Sequence, residues 1–293
     1  MNPVLFELPW GTPANAYGTL ILVGGLVSVP GIWWDVQRRG LGKPSTASFI
    51  VDFALVLVLG AFVGGRLLHI LTMPGPYLDD PSRLFRLEDT GFVFFGSLLA
   101  ILGGWVWLAR RYRTSFGTIC DLGATWMGLG HAFGRLGCWF AGCCWGAPTD
   151  AAFGVQFPSE SMAWLHAEIP RTATHTVPVH PTQLYEAVGL AAIFVGLAWI
   201  RRTRGIETTW RQASRYAIAY GILRATTEIF RGDASRGMLL DLRWPALAER
   251  LALPAEQPLL LSISQAVALA LVALGVYGWH STRPKVRSSW PPE

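Results

Sequence analysis

Residues 49–72 read FIVDFALVLVLGAFVGGRLLHILT, a run in which Asp52, Arg66 and His69 are the only ionisable side chains. A helix needs about 20 mostly apolar residues to cross the hydrocarbon core of a bilayer, so this run predicts a membrane span. An arginine inside such a helix costs roughly 2.5–3.5 kcal/mol on insertion scales, and it normally faces a cavity, a partner, or both. The segment thus points to a membrane fold and also raises the question of what Arg66 and residues like it are for.

Six further stretches have the same character or approach it: Tyr17–Trp34, Phe92–Ala109, Ile119–Ala141, Leu184–Ile200, Tyr216–Phe230 and Leu259–His280. The expected fold is an all-α membrane protein of about seven transmembrane helices, one polytopic domain over residues 1–293 with outer loops at 73–91, 145–183 and 232–258. Composition agrees, with 52% hydrophobic and only 15% charged residues, against roughly 25% charged in an ordinary soluble domain. The net charge of +5 is spread in short runs between apolar stretches, which argues against a basic face for nucleic acid. Gly64-Gly65, Gly103-Gly104 and Gly128, Gly130 and Gly134 are expected to let helix backbones approach closely. Cys120, Cys138, Cys143 and Cys144 lie in or beside one apolar segment, unlike the spread of a disulfide framework. Met1–Pro13 lacks the basic start of a cleavable signal peptide.

Orientation follows from the basic residues. Four connections carry Arg38, Arg39 and Lys43; Arg110, Arg111 and Arg113; Arg201, Arg202, Arg204, Arg211 and Arg215; and Arg283, Lys285 and Arg287, fourteen in all. The three alternate loops are longer yet carry only six, Arg83, Arg86, Arg171, Arg236, Arg243 and Arg250. By the positive-inside rule the first set is cytoplasmic. The N-terminus is then expected outside, in the periplasm of a bacterial inner membrane, and the C-terminus in the cytoplasm.

Four basic residues remain, Arg66, Arg135, Arg224 and Arg231, all within or at the ends of predicted spans. In Arg224-Ala-Thr-Thr-Glu228-Ile-Phe-Arg231 the spacings of four, three and seven predict one helix face. Glu228 can neutralise one arginine but not both, so the residual positive charge calls for an anion, and phosphate suits the planar guanidinium fork. A plainer alternative has Arg231 snorkelling to the interface and Arg224–Glu228 bracing two helices. Arg135 sits among glycines in His131-Ala-Phe-Gly-Arg135-Leu-Gly-Cys138-Trp-Phe-Ala-Gly-Cys143-Cys144-Trp-Gly146, where a ligand could approach the backbone. After the long outer loop, His180-Pro-Thr-Gln-Leu-Tyr185-Glu186 starts the fifth span, with Pro181 suited to a first helical turn.

These segments, with Tyr17-Gly18, Gly64-Gly-Arg66-Leu and Gly91 to Leu99, resemble in order the prolipoprotein diacylglyceryl transferase family. That family moves the diacylglyceryl group of phosphatidylglycerol onto the lipobox cysteine of secreted prolipoproteins. The resemblance implies a seven-span body with a small periplasmic head formed from the outer loops. It implies that Arg135 and Arg224 hold the lipid phosphate, that Glu228 fixes Arg224, and that Tyr17 lines the lipid site; Arg66, Ser97, Cys138, Cys143, Tyr185 and Arg231 are further candidates for substrate binding. Phosphatidylglycerol and a prolipoprotein or other thiol would be the partners, with no cofactor. The chemistry asks for such residues: as a thiolate displaces glycerol phosphate from carbon, charge grows on the departing phosphate, and each well-aimed donor in a dry site is worth ~3–4 kcal/mol.

The sequence departs from the family pattern at three polar positions. Phe95 replaces a histidine in Phe94-Phe95-Gly96-Ser97, Cys138 replaces an asparagine and Cys143 a glutamate. His180, and after it His131, are the remaining imidazoles for proton transfer. The cysteines suit packing, a disulfide, or a reactive or metal-binding thiol, although spacings of seven from His131 to Cys138 and five from Cys138 to Cys143 match no zinc pattern. No metal is therefore expected. Glu160, His166, Glu168, Arg171 and His175 in the outer loop are candidates for contact with the acceptor. The alternatives to the family reaction are a related phospholipid-dependent transferase with another acceptor, or a non-catalytic lipid-binding protein.

Overall fold

The computed structural model describes residues 4–7, 13–41, 45–84, 93–159, 161–166, 172–205, 209–232 and 237–282. Lys43, Arg86, Gly91, Phe92, Glu160, Glu168, Arg171, Arg236, Arg283, Lys285 and Arg287 lie outside the described residues. The chain is mostly helical. Its long helices are α1 (Ala16–Arg38), α2 (Thr46–Leu59) running through a π-turn into α3 (Gly65–Thr72), and α5 (Phe94–Arg111). They continue with α6 (Phe116–Ala141), α8 (Thr182–Arg204), α9 (Arg211–Ile229) and α11 (Ile263–Ser281). Short helices α4 (Gly75–Asp79), α7 (Met162–His166) and α10 (Pro245–Arg250) lie between them. Strands β1 (Val4–Glu7) and β2 (Pro13–Asn15) pair antiparallel, as do β3 (Met238–Arg243) and β4 (Pro258–Ser262).

Four helical stretches among the described residues are long and apolar enough to cross a membrane: Ala16–Arg38, Thr46–Thr72, Thr182–Arg204 and Ile263–Ser281. Helix α9 is not among them because its polar residues face protein. Gln212, Ser214, Thr227 and Glu228 are all buried. The last predicted span began at Leu259, yet residues 259–262 belong to strand β4. Ser262 explains the later start: its hydroxyl accepts from the Gln265 N–H at 3.1 Å while the Gln265 side chain accepts from the Ser262 N–H at 3.0 Å, a capping box that fixes where α11 begins.

The chain divides into two compact units, one of Met1–Ser28 with Gly123–Glu293 and one of Val29–Leu122. In the smaller unit, Gly64 and Gly96 meet backbone to backbone, so that a Cβ on either would collide with the other's carbonyl oxygen. The π-turn Gly60–Gly64 lies at this contact, and the Ser97 hydroxyl donates to its Ala61 carbonyl at 2.7 Å. Asp52 accepts from Arg111 and from the Tyr112 hydroxyl, each at 2.7 Å. In the larger unit, α9 packs along α11, with Gly221 against the Ala268 carbonyl and Gly275 against the Ser214 carbonyl. Not every glycine does this. Gly64 and Gly104 sit at close helix contacts, whereas an added Cβ at Gly103 or Gly130 would meet nothing within 4 Å.

Replacing Gly96 by valine forces bulk against the Gly64 backbone. The expected loss is about 1–3 kcal/mol, the usual cost of overpacking, read as a lower thermal midpoint in detergent. Gly103→Ala should leave the midpoint unchanged or slightly raised.

Candidate functional site

Three helices of the larger unit each bring an ionisable group to one buried network. Arg135 on α6 places a terminal nitrogen 3.1 Å from Glu186 Oε1 on α8. Arg224 on α9 lies 3.7 Å from Glu186 Oε2 and 2.7 Å from Glu228 Oε2, one turn along its own helix. The start of α11 completes the set: Arg224 donates to Ser264 Oγ at 3.1 Å, and the Ser262 hydroxyl donates to Glu228 Oε1 at 3.0 Å. Both carboxylate side chains are almost wholly buried, at 2% and 1% exposure, and both arginine side chains nearly so, at 15% and 14%. In so dry a place the attraction of opposite charges is strong, and so is the cost of leaving one unpaired.

Two features bear on what the network can bind. Within the network the charges balance, because Glu186 enters from another helix to pair with Arg135 as Glu228 pairs with Arg224. Donor capacity remains even so: Arg135 Nε and Arg224 Nη1 are buried and make no hydrogen bond to protein. The network thus pairs two arginines with two carboxylates while keeping N–H groups fixed in place.

Arg231 departs from the expected helix face. Helix α9 ends at Ile229 with Phe230 as its cap, and Arg231 instead forms an isolated antiparallel bridge with Gly146. The spacing rule fails there because the backbone has left the helix before residue 231 is reached. Its backbone holds two segments together: Ala147 N–H donates to the Phe230 carbonyl at 2.8 Å, and Gln257 donates to the Arg231 carbonyl at 3.2 Å.

His180 sits beside this junction, only 1% exposed. Its Nδ1 lies 3.0 Å from the Tyr185 hydroxyl and its Nε2 3.3 Å from the Ala252 carbonyl. The carbonyl can only accept, so Nε2 carries the proton and Nδ1 accepts from Tyr185. Its ring also stands edge-on to Phe230, with centroids 5.0 Å apart. His180 and Tyr185 thus fasten the start of α8 to the segment near Ala252. Burial pushes the imidazole pKa below its usual 6.5.

Tyr17 packs against α6 at Gly137, where a Cβ would come within 2.9 Å of the Tyr17 backbone. It lies in electrostatic reach of Arg135, Cys138, Cys143 and Cys144. The sulfurs of those three cysteines lie within 4.8 Å of one another, and all four cysteines are free thiols. Side chains at the start of α8 hold the turn that carries two of them, with Gln183 donating to the Cys143 carbonyl and Thr182 to the Cys144 carbonyl, each at 2.8 Å.

Arg66, Ser97 and Phe95 belong to the smaller unit. Arg66 donates to the Arg83 carbonyl at 2.5 Å and stacks over Tyr77 at 5.1 Å. Phe95 is about half exposed.

The sequence model of the family described as prolipoprotein diacylglyceryl transferase matches residues 3–280. This chain belongs to that family. A phosphatidylglycerol–prolipoprotein diacylglyceryl transferase of Clostridium tetani is 29% identical over 286 residues, 97% of this chain and 98% of the relative. That of Polynucleobacter asymbioticus is 32% identical over 229 residues, 77% of this chain and 75% of the relative. That of Pectobacterium atrosepticum is 30% identical over 251 residues, 81% and 84% of the two chains.

Some residues of the network were not singled out from the sequence. Glu186 was read only as the end of a helix-start segment, yet it joins Arg135 to Arg224. The signal was available: Glu186 is an acidic residue inside an apolar span, and such residues need partners as buried arginines do. Ser262, Ser264 and Gln265 carried no such signal, being ordinary capping residues by sequence. Of the predicted set, Arg135, Arg224 and Glu228 come together in one ionic network, and Tyr17, Cys138 and Cys143 gather beside Arg135. His180 and Tyr185 form their own contact, and Arg231 joins Gly146.

Glu186→Gln leaves two buried guanidinium groups with one carboxylate. The expected cost is about 3–5 kcal/mol, seen as a lower unfolding midpoint, while Arg135→Met combined with Glu186→Met should recover part of it. Acid acts through His180. Its folded-state pKa lies below the unfolded value, so on acidification the unfolded chain binds the proton first and stability falls as pH drops below about 6.5. A His180→Phe variant should show a flatter midpoint against pH across that window.

Proposed function

We propose that this chain transfers the diacylglyceryl group of phosphatidylglycerol to the cysteine thiol of a prolipoprotein at the outer face of the bacterial inner membrane. The observation that carries the reading is the buried Arg135–Glu186–Arg224–Glu228 network in a chain matched by its family over residues 3–280. The relatives' names supply donor and acceptor. On this reading the chain is one polytopic body of seven spans, with the N-terminus in the periplasm and the C-terminus in the cytoplasm. Its outer loops at 73–91, 145–183 and 232–258 form a small head that meets the acceptor.

In the reaction, an acceptor thiolate attacks the glycerol carbon of the diacylglyceryl group. A carbon–sulfur bond forms as the carbon–oxygen bond to phosphate breaks, and the glycerol phosphate departs with that electron pair and one more negative charge. Arg135 and Arg224 meet this charge with N–H groups already fixed in place, so little reorganisation is needed as it develops. Glu186 and Glu228 act as positioning residues: they hold the two guanidinium groups and keep them from binding substrate and product phosphate too tightly. Tyr17 lines the path of the lipid. Tyr185 and His180 order the start of the helix that bears Glu186, and Arg231 ties its end of α9 to the 145–147 segment. Arg66 and Ser97 brace the helices of the smaller unit, where Ser97 donates to the Ala61 carbonyl and Arg66 to the Arg83 carbonyl.

A second acceptor class is favoured by one observation, the side chain at Phe95. A phenyl ring stands where the resemblance places a histidine, so the thiol must lose its proton by another route or the acceptor must differ. Purified protein incubated with phosphatidylglycerol vesicles and a lipobox peptide should yield peptide with added diacylglyceryl mass and free glycerol phosphate. Arg135→Ala and Arg224→Ala should each lower turnover by about 10²–10³-fold, the usual effect of removing one transition-state donor. Glycerol phosphate released without peptide modification would assign another acceptor. Lipid binding without any release of glycerol phosphate would overturn the transferase reading.

A further inference from the structure

Cys138, Cys143 and Cys144 suggested no zinc pattern by spacing, but the fold places their sulfurs within 4.8 Å of one another. In extended chain, adjacent side chains point to opposite sides, and Cys144 breaks that alternation with φ of +59°, a left-handed conformation that non-glycine residues rarely adopt. Gly142 before it, at φ +68°, turns the chain back after α6. Two neighbouring cysteines can therefore face a third on the last turn of α6. Gln183 and Thr182 hold the carbonyls of Cys143 and Cys144, so the sulfurs are preorganised by hydrogen bonds from another helix.

Zinc–sulfur bonds of about 2.3 Å in a tetrahedron require sulfurs roughly 3.8 Å apart, within a small adjustment of the observed cluster. Among the described residues no fourth His, Cys, Asp or Glu joins the group. Three protein ligands and one open position is the arrangement of catalytic zinc, whereas structural zinc takes four. Three thiolates around a divalent cation carry net negative charge, and two cations offset it: Arg135, one turn before Cys138 on α6, and Arg231, both in electrostatic reach of Cys144.

We propose that these three cysteines bind Zn²⁺ and that its open position takes the acceptor thiol as a thiolate. This rests on the transferase reading, and it supplies what Phe95 cannot. Coordination releases the thiol proton to water and leaves a zinc-bound thiolate near neutral pH. That sulfur attacks the glycerol carbon, the thioether product leaves the metal, and the carbon–oxygen electron pair goes with the phosphate. Zinc remains divalent throughout, so no oxidant or reductant is required.

The test uses the full chain in detergent, reduced without added thiols, stripped by chelator and titrated with Co²⁺. About one equivalent should bind with thiolate-to-cobalt charge-transfer bands and the visible bands of a tetrahedral centre. Cys138→Ser and Cys143→Ser should each weaken binding by at least about 10–100-fold, the loss that follows removal of outer-shell support alone. A lipobox peptide with a free cysteine should shift the visible bands, while its serine counterpart should not. Absence of cobalt binding, or bands indifferent to the cysteine variants or to the peptide thiol, overturns the proposal. Full diacylglyceryl transfer by metal-free protein also overturns it and leaves the transferase reading standing. Peptide-dependent bands without diacylglyceryl transfer would uphold the metal site and sink the transferase reading instead.

Discussion

The larger unit of this protein is organised around a compensation of buried charge. Arg135, Glu186, Arg224 and Glu228 come from three helices, and none could occupy an apolar interior without the others. Removing two charges from water costs several kcal/mol per ion, recovered only with close geometry and further hydrogen bonds. The helices that supply the four groups are thereby constrained in both register and rotation. A shift of α8 by one residue would turn Glu186 away from both arginines.

The packing around the network follows from the same constraint. Helix α9 carries so many polar residues that lipid cannot cover it, so it lies along α11, where glycines admit backbone-to-backbone contact. In a membrane the apolar effect does little to join helices, and close packing with hydrogen bonds takes its place. The smaller unit uses the same means at Gly64 and Gly96 with a π-turn. There an extra residue in the helix and a serine hydroxyl adjust the fit between α2, α3 and α5.

Much of this was legible in the sequence. The long helices were expected from apolar runs, since length and hydropathy report directly on the solvent a helix meets. Arg135, Arg224 and Glu228 were found because a charge in an apolar run is costly wherever it lies. Glu186 was overlooked as a partner because pairing across helices has no fixed sequence spacing, unlike the four-residue step from Arg224 to Glu228. Arg231 was misplaced because a helix rule was extended past the helix end. The thiol cluster was hidden by a backbone event: the left-handed residue at Cys144 brings adjacent side chains to one side, and no ligand-spacing rule anticipates that.

Ser262 has two tasks that are usually separate. Its hydroxyl accepts from the backbone at the first turn of α11 and donates to Glu228. The first turn of that helix cannot fray without removing a hydrogen bond from the carboxylate beside Arg224. Strand β4, which ends on Ser262, stands at the other side of the same residue. The β3–β4 pair is therefore continuous along the chain with Ser262, and a single hydrogen bond separates that strand end from the ionic centre.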